Sequence, residues 1–255
     1  MPNNLKVELR NLVEEEYRHV ICYPECRLDE LKHRLEELKK LGISAIEFSG
    51  EKTVCNLRVL GKGNVGIVVK ALQDGGNVAL KIRRADADRA TMQREANMLQ
   101  TANLVTVGPR LLGATANFLV MEYVAGKLLP EWVQLLSERD ASMRLRRVLC
   151  SVLQQARRLD EVGLDHGELS NAAKHVIIEA DDEPCLVDFE TASVTRRVSN
   201  VTSLCQFLLL RSSTAELVTR KLGGIDEEGL LETLRRYKQE RNESNFSKIL
   251  DKCQS

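Results

Sequence analysis

Leu60-Gly61-Lys62-Gly63-Asn64-Val65-Gly66-Ile67-Val68 is the stretch on which the fold turns, and Val78-Ala79-Leu80-Lys81 is its partner farther along the chain. Glycines at i, i+2 and i+5, a valine two residues past the last of them, and a strand ending in lysine make a phosphate cover with a cation beneath it. Glycine carries no Cβ, so backbone N–H groups can approach a polyphosphate closely, and positive φ is open to them. Lys81 would then pair with those phosphates.

Outward from this point the pattern is strand-rich. Residues 58–60 and 67–72 read as a hairpin around the glycines, Asp74-Gly75-Gly76-Asn77 as a turn, and 78–82 as the next strand. Residues 86–100 read as a helix with Met92, Glu95, Ala96 and Leu99 along one stripe, and 118–124 as a buried strand running into a linker at Ala125-Gly126. Beyond the linker helices dominate: 130–138 opens with proline in its first turn, 143–162 is stopped by Gly163, and the chain after 199 is helical almost to its end.

Ahead of the glycines, 3–20 and 28–41 read as two helices, the second with Leu28, Leu31, Leu35 and Leu38 at three- and four-residue steps. Pro24 marks the turn between them, Gly42 stops the second, and 43–48 resembles a short strand. Two helices bury little alone, so this segment must dock on a neighbour or a partner, either as a helical hairpin or as part of a winged helix. The expected divisions are a helical appendage over 1–50, a strand-rich lobe over 51–124 and a helical lobe over 125–255.

Charge excludes some functions. The 37 basic and 37 acidic residues of the 255-residue chain cancel, which gives no support to nucleic-acid binding or to an anionic membrane surface. No apolar run approaches the length of a membrane span and no signal peptide is evident, so a soluble, cytoplasmic protein is expected. Seven cysteines without a secretory signal imply reduced thiols, and Cys22 and Cys26 have no second close pair with which to build a zinc site.

The chemistry-bearing residues follow the same order. A carboxylate at Glu95, on the inward stripe of its helix, could hold the Lys81 amine in place. Met121-Glu122-Tyr123-Val124 could offer backbone N–H and C=O groups to a nucleobase edge. Leu164-Asp165-His166-Gly167-Glu168-Leu169-Ser170-Asn171 follows the long helix, and Cys185-Leu186-Val187-Asp188-Phe189-Glu190 ends an apolar strand on a carboxylate. Phosphoryl transfer needs one carboxylate to orient the acceptor hydroxyl and another to hold the metal that bridges the phosphates. His166 is expected to brace its loop rather than touch substrate.

From Leu57 to Arg211 these motifs resemble the atypical lineage of protein kinases that includes the RIO kinases and the small kinase/ATPase of the tRNA-modifying KEOPS complex, and within it a group of archaeal predicted Ser/Thr kinases. The resemblance implies an α+β, bilobal protein-kinase-like fold: a small β-rich lobe with one helix, then a helical lobe. It implies that Gly61, Gly63, Gly66, Val68, Lys81, Glu95, Met121, Glu122 and Val124 bind and orient ATP, that Glu168 takes the catalytic-acid position, and that Asp188 binds Mg²⁺ or Mn²⁺. A protein substrate or a partner complex is implied with it.

The chain departs from the pattern in several places. Glutamate stands where aspartate is usual, which extends the carboxylate of Glu168 by roughly 1.5 Å, and a misplacement of about 1 Å can cost about a hundredfold in rate. The expected loop asparagine is replaced by Ala173, with Asn171 and His175 as equal candidates for the second metal ligand and Lys174 as a contact for the γ-phosphate. Asp-Phe-Glu at 188–190 lacks the glycine that would let Phe189 swing, and the segment from Thr191 to Ser199 leads directly into a helix, with Ser199 or Asn200 as its cap. Three functions are therefore open: a Ser/Thr kinase acting largely on itself, an ATP-binding switch or pseudokinase scaffold, and a small-molecule phosphotransferase.

Overall fold

A computed structural model describes residues 4–137 and 139–254. The chain forms two compact units, the first running to Gln100 and again over Pro109–Tyr123, the second comprising Thr101–Gly108 and the chain from Val124 onward. It is an α+β protein with an antiparallel sheet in its N-terminal region and a helical C-terminal part.

In the first unit the elements are β1 (Leu5–Glu8), α1 (Glu15–Ile21), α2 (Leu28–Lys40), β2 (Ile43–Phe48), β3 (Lys52–Val54), β4 (Leu57–Val59), β5 (Gly61–Lys62), β6 (Gly66–Gln73), β7 (Gly76–Arg83), most of α3 (Ala90–Leu104), β8 (Leu111–Ala114) and β9 (Phe118–Glu122). The main sheet runs β1-β2-β6-β7-β9-β8, with β5 paired to β6 and every pairing antiparallel. Period-two alternation sorts its side chains. Ile67, Val69 and Ala71 of β6 and Val78, Leu80 and Ile82 of β7 share one core with Val20, Ile21, Leu31 and Leu38 of the first two helices.

The N-terminal expectation is corrected here. Residues 5–8 are a strand, followed by a 3-10 turn over Leu9–Asn11 and then the short α1; the first residue of the helix expected over 3–20 lies outside the described residues. Val7 is buried between exposed Lys6 and Glu8, and its backbone pairs with Ile46 of β2. Pairing with a neighbouring strand satisfies backbone groups that the local spacing of Leu5, Leu9 and Leu12 would have satisfied within a helix. The first fifty residues therefore contribute two strands to the main sheet and two helices to its core, and are not a purely helical appendage.

On α2, Leu31 and Leu38 are buried as the spacing predicts, but Leu28 is 62% exposed and the fully buried long side chain is Arg34. Its guanidinium donates to the carbonyls of Ile21 and Arg83 at 2.7 and 2.6 Å and to Glu30 at 2.8 Å. The helix α3 starts at Ala90, four residues later than expected, because the Asp88 carboxylate accepts the Ala90 N–H at 3.0 Å.

The second unit contains β10 (Gly126–Leu128), α4 (Leu129–Leu135), α5 (Ala141–Glu161), β11 (Val176–Glu179), β12 (Pro184–Leu186), α6 (Asn200–Cys205), α7 (Ser213–Leu222), α8 (Glu227–Gln239) and α9 (Glu243–Gln254). The expected linker at Ala125-Gly126 instead opens β10, which pairs with β11, which in turn pairs with β12. Residue 138, where the helix expected over 130–138 ends, lies outside the described residues. Leu145, Val148, Leu149, Val152 and Leu153 make α5 the central helix of this unit. Among the described residues no helix is long and apolar enough to cross a membrane.

Candidate functional site

The glycine stretch of the first unit is a hairpin. Gly61 faces Val68 and Lys62 faces Ile67 across β5 and β6, and the Gly63 N–H donates to the Gly66 carbonyl at 2.8 Å. The next registers pair Val68 with Lys81, Lys81 with Leu119 and Ala79 with Met121. Directly paired residues lie on one face of a sheet, so Val68, Lys81 and Met121 share the face opposite the one packed by α1 and α2. Neither Gly61 nor Gly66 takes positive φ, contrary to the expectation for this loop. Gly66 is required by close approach instead: a Cβ there would lie 2.9 Å from the Ile82 carbonyl oxygen and 3.1 Å from Cγ of Lys81.

Lys81 finds the partner that its position predicts. Its Nζ lies 2.9 Å from Oε1 and 2.8 Å from Oε2 of Glu95, and both residues are buried. Met92, Ala96 and Leu99, the other members of the stripe, are buried beside Glu95 and set its rotation on α3. A buried ion pair is seldom a source of stability against an apolar substitute, since desolvation offsets the attraction. What the pair does supply is an ammonium held in one place. Met121 is half-buried near the end of β9, and the Glu122 N–H donates to the Arg110 carbonyl at 2.9 Å. The Glu122 N–H is thus already engaged within its own unit.

The second unit holds the remaining residues. His166 is fully buried, and its Nε2 lies 3.1 Å from the carbonyl oxygen of Val187, directly before Asp188. That contact makes Nε2 the protonated nitrogen. Burial, and then the neighbouring His175, push the His166 pKa down to about 4, so the ring is neutral and serves as a brace, as expected. Gly167 sits at φ +91°, and a Cβ there would lie 2.5 Å from an Arg196 nitrogen and 2.7 Å from the Thr191 hydroxyl. This turn delivers the half-buried Glu168, whose carboxylate makes no hydrogen bond or ion pair among the described residues.

Asp188 takes φ +70°, a left-handed conformation uncommon outside glycine but better tolerated by Asp and Asn than by most residues. Strain of this kind persists where surrounding structure over-determines it, and it clusters at functional positions. The Asp188 side chain is 45% exposed, and its Oδ2 lies 3.8 Å from Nδ1 of His175. Of the two candidates for a second metal ligand, His175 is thus within reach of that carboxylate. His175 stands beside Asp188, and Asn171 is exposed, in non-helical backbone. Lys174 is exposed at the end of the same 3-10 stretch.

Sequence reading missed the residues that hold this loop. Asp165 accepts from Nε of Arg196 at 2.9 Å and from the Ser199 N–H at 3.2 Å, and its backbone bridges Ser193. The Asn200 carboxamide accepts the His166 N–H at 2.9 Å while donating to the Leu164 carbonyl and to Asp160. Asp160 also accepts from the Tyr237 hydroxyl at 2.9 Å. Ser199 occupies the cap position of α6, but its hydroxyl turns to Asp165 and Ser203 rather than to the helix amides. These partners lie dozens of residues apart, and only the adjacency of Asp165 to His166 gave any signal of them.

No group of three histidine, cysteine or acidic side chains suited to a metal ion occurs among the described residues. Such a cage is not required for Mg²⁺, which is usually held by one or two carboxylates together with substrate phosphates. The exposed Asp188 carboxylate fits that role, and the His175 imidazole beside it is a softer donor, better matched to Mn²⁺ than to Mg²⁺. No protein-family model matches this chain, and no curated protein matches it.

Proposed function

We propose that the chain is an ATP-dependent protein kinase of the RIO- and KEOPS-kinase-like lineage, which transfers the γ-phosphoryl group to serine or threonine hydroxyls, its own among them. The observation that carries this reading is the buried Lys81–Glu95 pair, on the sheet face that also bears Val68 and Met121 and directly beside the glycine hairpin. A lysine held by a helix glutamate under a glycine-rich hairpin is an arrangement for gripping phosphates.

In this reading the first unit contributes the phosphate grip. Lys81 holds the phosphates, and the β5–β6 hairpin covers them with backbone N–H groups. The second unit contributes the acceptor and metal chemistry. Asp188, with His175 beside it, would hold the divalent ion, which would supply neutralising charge to the phosphates when bound. Glu168 orients the acceptor hydroxyl and takes its proton as the hydroxyl oxygen bonds to the γ-phosphorus. The bond from that phosphorus to the β,γ-bridging oxygen breaks, and ADP leaves with the electron pair. Glu168 suits this role because its carboxylate is engaged by no other side chain among the described residues.

A second reading, an ATP-binding switch with little transfer, is favoured by one observation. Ala173 stands where the loop asparagine is expected, and it brings no carboxamide oxygen to the metal position. Purified protein incubated with γ-labelled ATP and Mg²⁺ or Mn²⁺ separates the readings. Label on the protein is the expected result. Free phosphate alone favours the switch, and label only on added metabolites favours a small-molecule phosphotransferase. Glu168→Ala should lower transfer at least about a hundredfold with ATP affinity nearly intact, and unchanged transfer would remove Glu168 from its role.

A further inference from the structure

We infer that Tyr23, in the turn between α1 and α2, is a positioning residue for the glycine hairpin, which it holds through Lys62. The inference rests on the kinase reading for its consequence, though not for its geometry. Nζ of Lys62, inside the glycine stretch, lies 4.9 Å from the centroid of the Tyr23 ring, and the guanidinium carbon of Arg84 lies 5.2 Å from the same centroid. The Tyr23 carbonyl accepts the Ala85 N–H at 2.7 Å, and the Arg84 N–H donates to the Val65 carbonyl at 2.8 Å. Both ends of the loop tip are therefore tied to one aromatic residue, Lys62 directly and Val65 by way of Arg84.

The turn itself is well anchored. Arg34, fully buried on α2, bonds the Ile21 carbonyl two residues before Tyr23 and the Arg83 carbonyl two residues after Lys81. Tyr23 is thus fixed relative to the strand that carries the phosphate-gripping lysine. Within the hairpin tip, by contrast, the backbone bond from Gly63 to Gly66 does the closing, and glycine loses more conformational freedom on ordering than any other residue. A loop of this composition gains from an external hold. An ammonium or guanidinium over a tyrosine face at these distances is attracted by the ring, and the hold pre-orders the loop before nucleotide arrives. An exposed lysine resting on an aromatic ring can also be mere packing, in which case its removal changes nothing at the loop.

The test uses the full chain. Amide exchange at residues 62–66 is measured without nucleotide in the wild type, Tyr23→Phe, Tyr23→Leu and Lys62→Met, together with the dissociation constant for Mg-ATP in each. Exchange should quicken about two- to fivefold in Tyr23→Leu and in Lys62→Met, as expected for loss of an exposed cation–aromatic contact. It should stay at the wild-type rate in Tyr23→Phe, which keeps the ring. Exchange within α2 and β7 should not change, which shows that the fold is intact, and ATP should bind more weakly by the same factor in the two loosened variants. Wild-type loop exchange in both Tyr23→Leu and Lys62→Met, or a Tyr23→Phe as loose as Tyr23→Leu, overturns the inference. Loop loosening in a protein that binds no ATP would leave the hold established and defeat the kinase reading. Normal ATP binding with an unresponsive loop would do the reverse.

Discussion

A lysine and a glutamate buried against each other raise the question of what each does alone. At Lys81 the ammonium sits within 3 Å of both oxygens of Glu95, at 2.9 and 2.8 Å, with both side chains shielded from water. Removing one member of such a pair is costly, on the order of 3–5 kcal/mol, whereas replacing both by apolar groups can be neutral. This separates the structural role of the pair from its functional one. Lys81→Met should lose stability of that order and lose ATP binding. The double variant Lys81→Met with Glu95→Leu should regain most of the stability and none of the binding. Chemical denaturation and calorimetric titration with Mg-ATP check the two halves, and recovered ATP binding in the double variant would show that Lys81 does not grip the nucleotide.

At the scale of elements, the N-terminal segment departs most from its sequence reading. The apolar stripe of α2 does not dress a separate appendage; Leu31 and Leu38 close the face of the sheet formed by β2, β6 and β7. Leu38→Ala should therefore cost about 2–5 kcal/mol, the range for deleting a fully buried leucine side chain from a packed core. Urea unfolding monitored on the whole chain measures it, and a loss below about 1 kcal/mol would mark α2 as a decoration. The consequence for chemistry is direct. The helices that cover one face of the sheet leave the other to Val68, Lys81, Met121 and the inward side of α3. The spacing of leucines at 28, 31, 35 and 38 was legible in the sequence, but the face they cover was not, because that depends on β1 and β2 joining the sheet.

For the whole molecule, pH is the variable that buried ionisable groups make visible. His166 has its pKa lowered from 6.5 to about 4 by burial and by His175. The unfolded chain therefore binds a proton that the folded chain refuses between those values. Stability contributed by the neutral ring is complete above about pH 6.5 and is lost as pH falls towards 4, by about 3 kcal/mol in total. Asp160 acts in the opposite sense: its pKa is raised by burial, and its contribution is lost as pH rises above the ordinary carboxyl value of 3.8. His166→Gln removes the first effect and leaves the second. Its denaturation midpoint should fall less steeply than that of the wild type between about pH 6.5 and 4, and parallel profiles would show that His166 is protonated in the fold without penalty.

Local chemistry was readable from the order of residues alone. The glycine spacing, the strand lysine, the helix glutamate on an apolar stripe and the strand-end aspartate are short-range patterns, and a one-dimensional string preserves them. The balanced charge and the alternation of a strand-rich half with a helical one were equally plain. Tertiary structure decided the rest. It turned residues 5–8 into an edge strand, because backbone pairing with β2 outweighs a weak local helix preference. It set His175 3.8 Å from Asp188, and it placed Asp160, Asp165 and Asn200 under the loop that carries Glu168. Those choices depend on which distant atoms meet once the chain is packed, and sequence separation carries no record of such meetings.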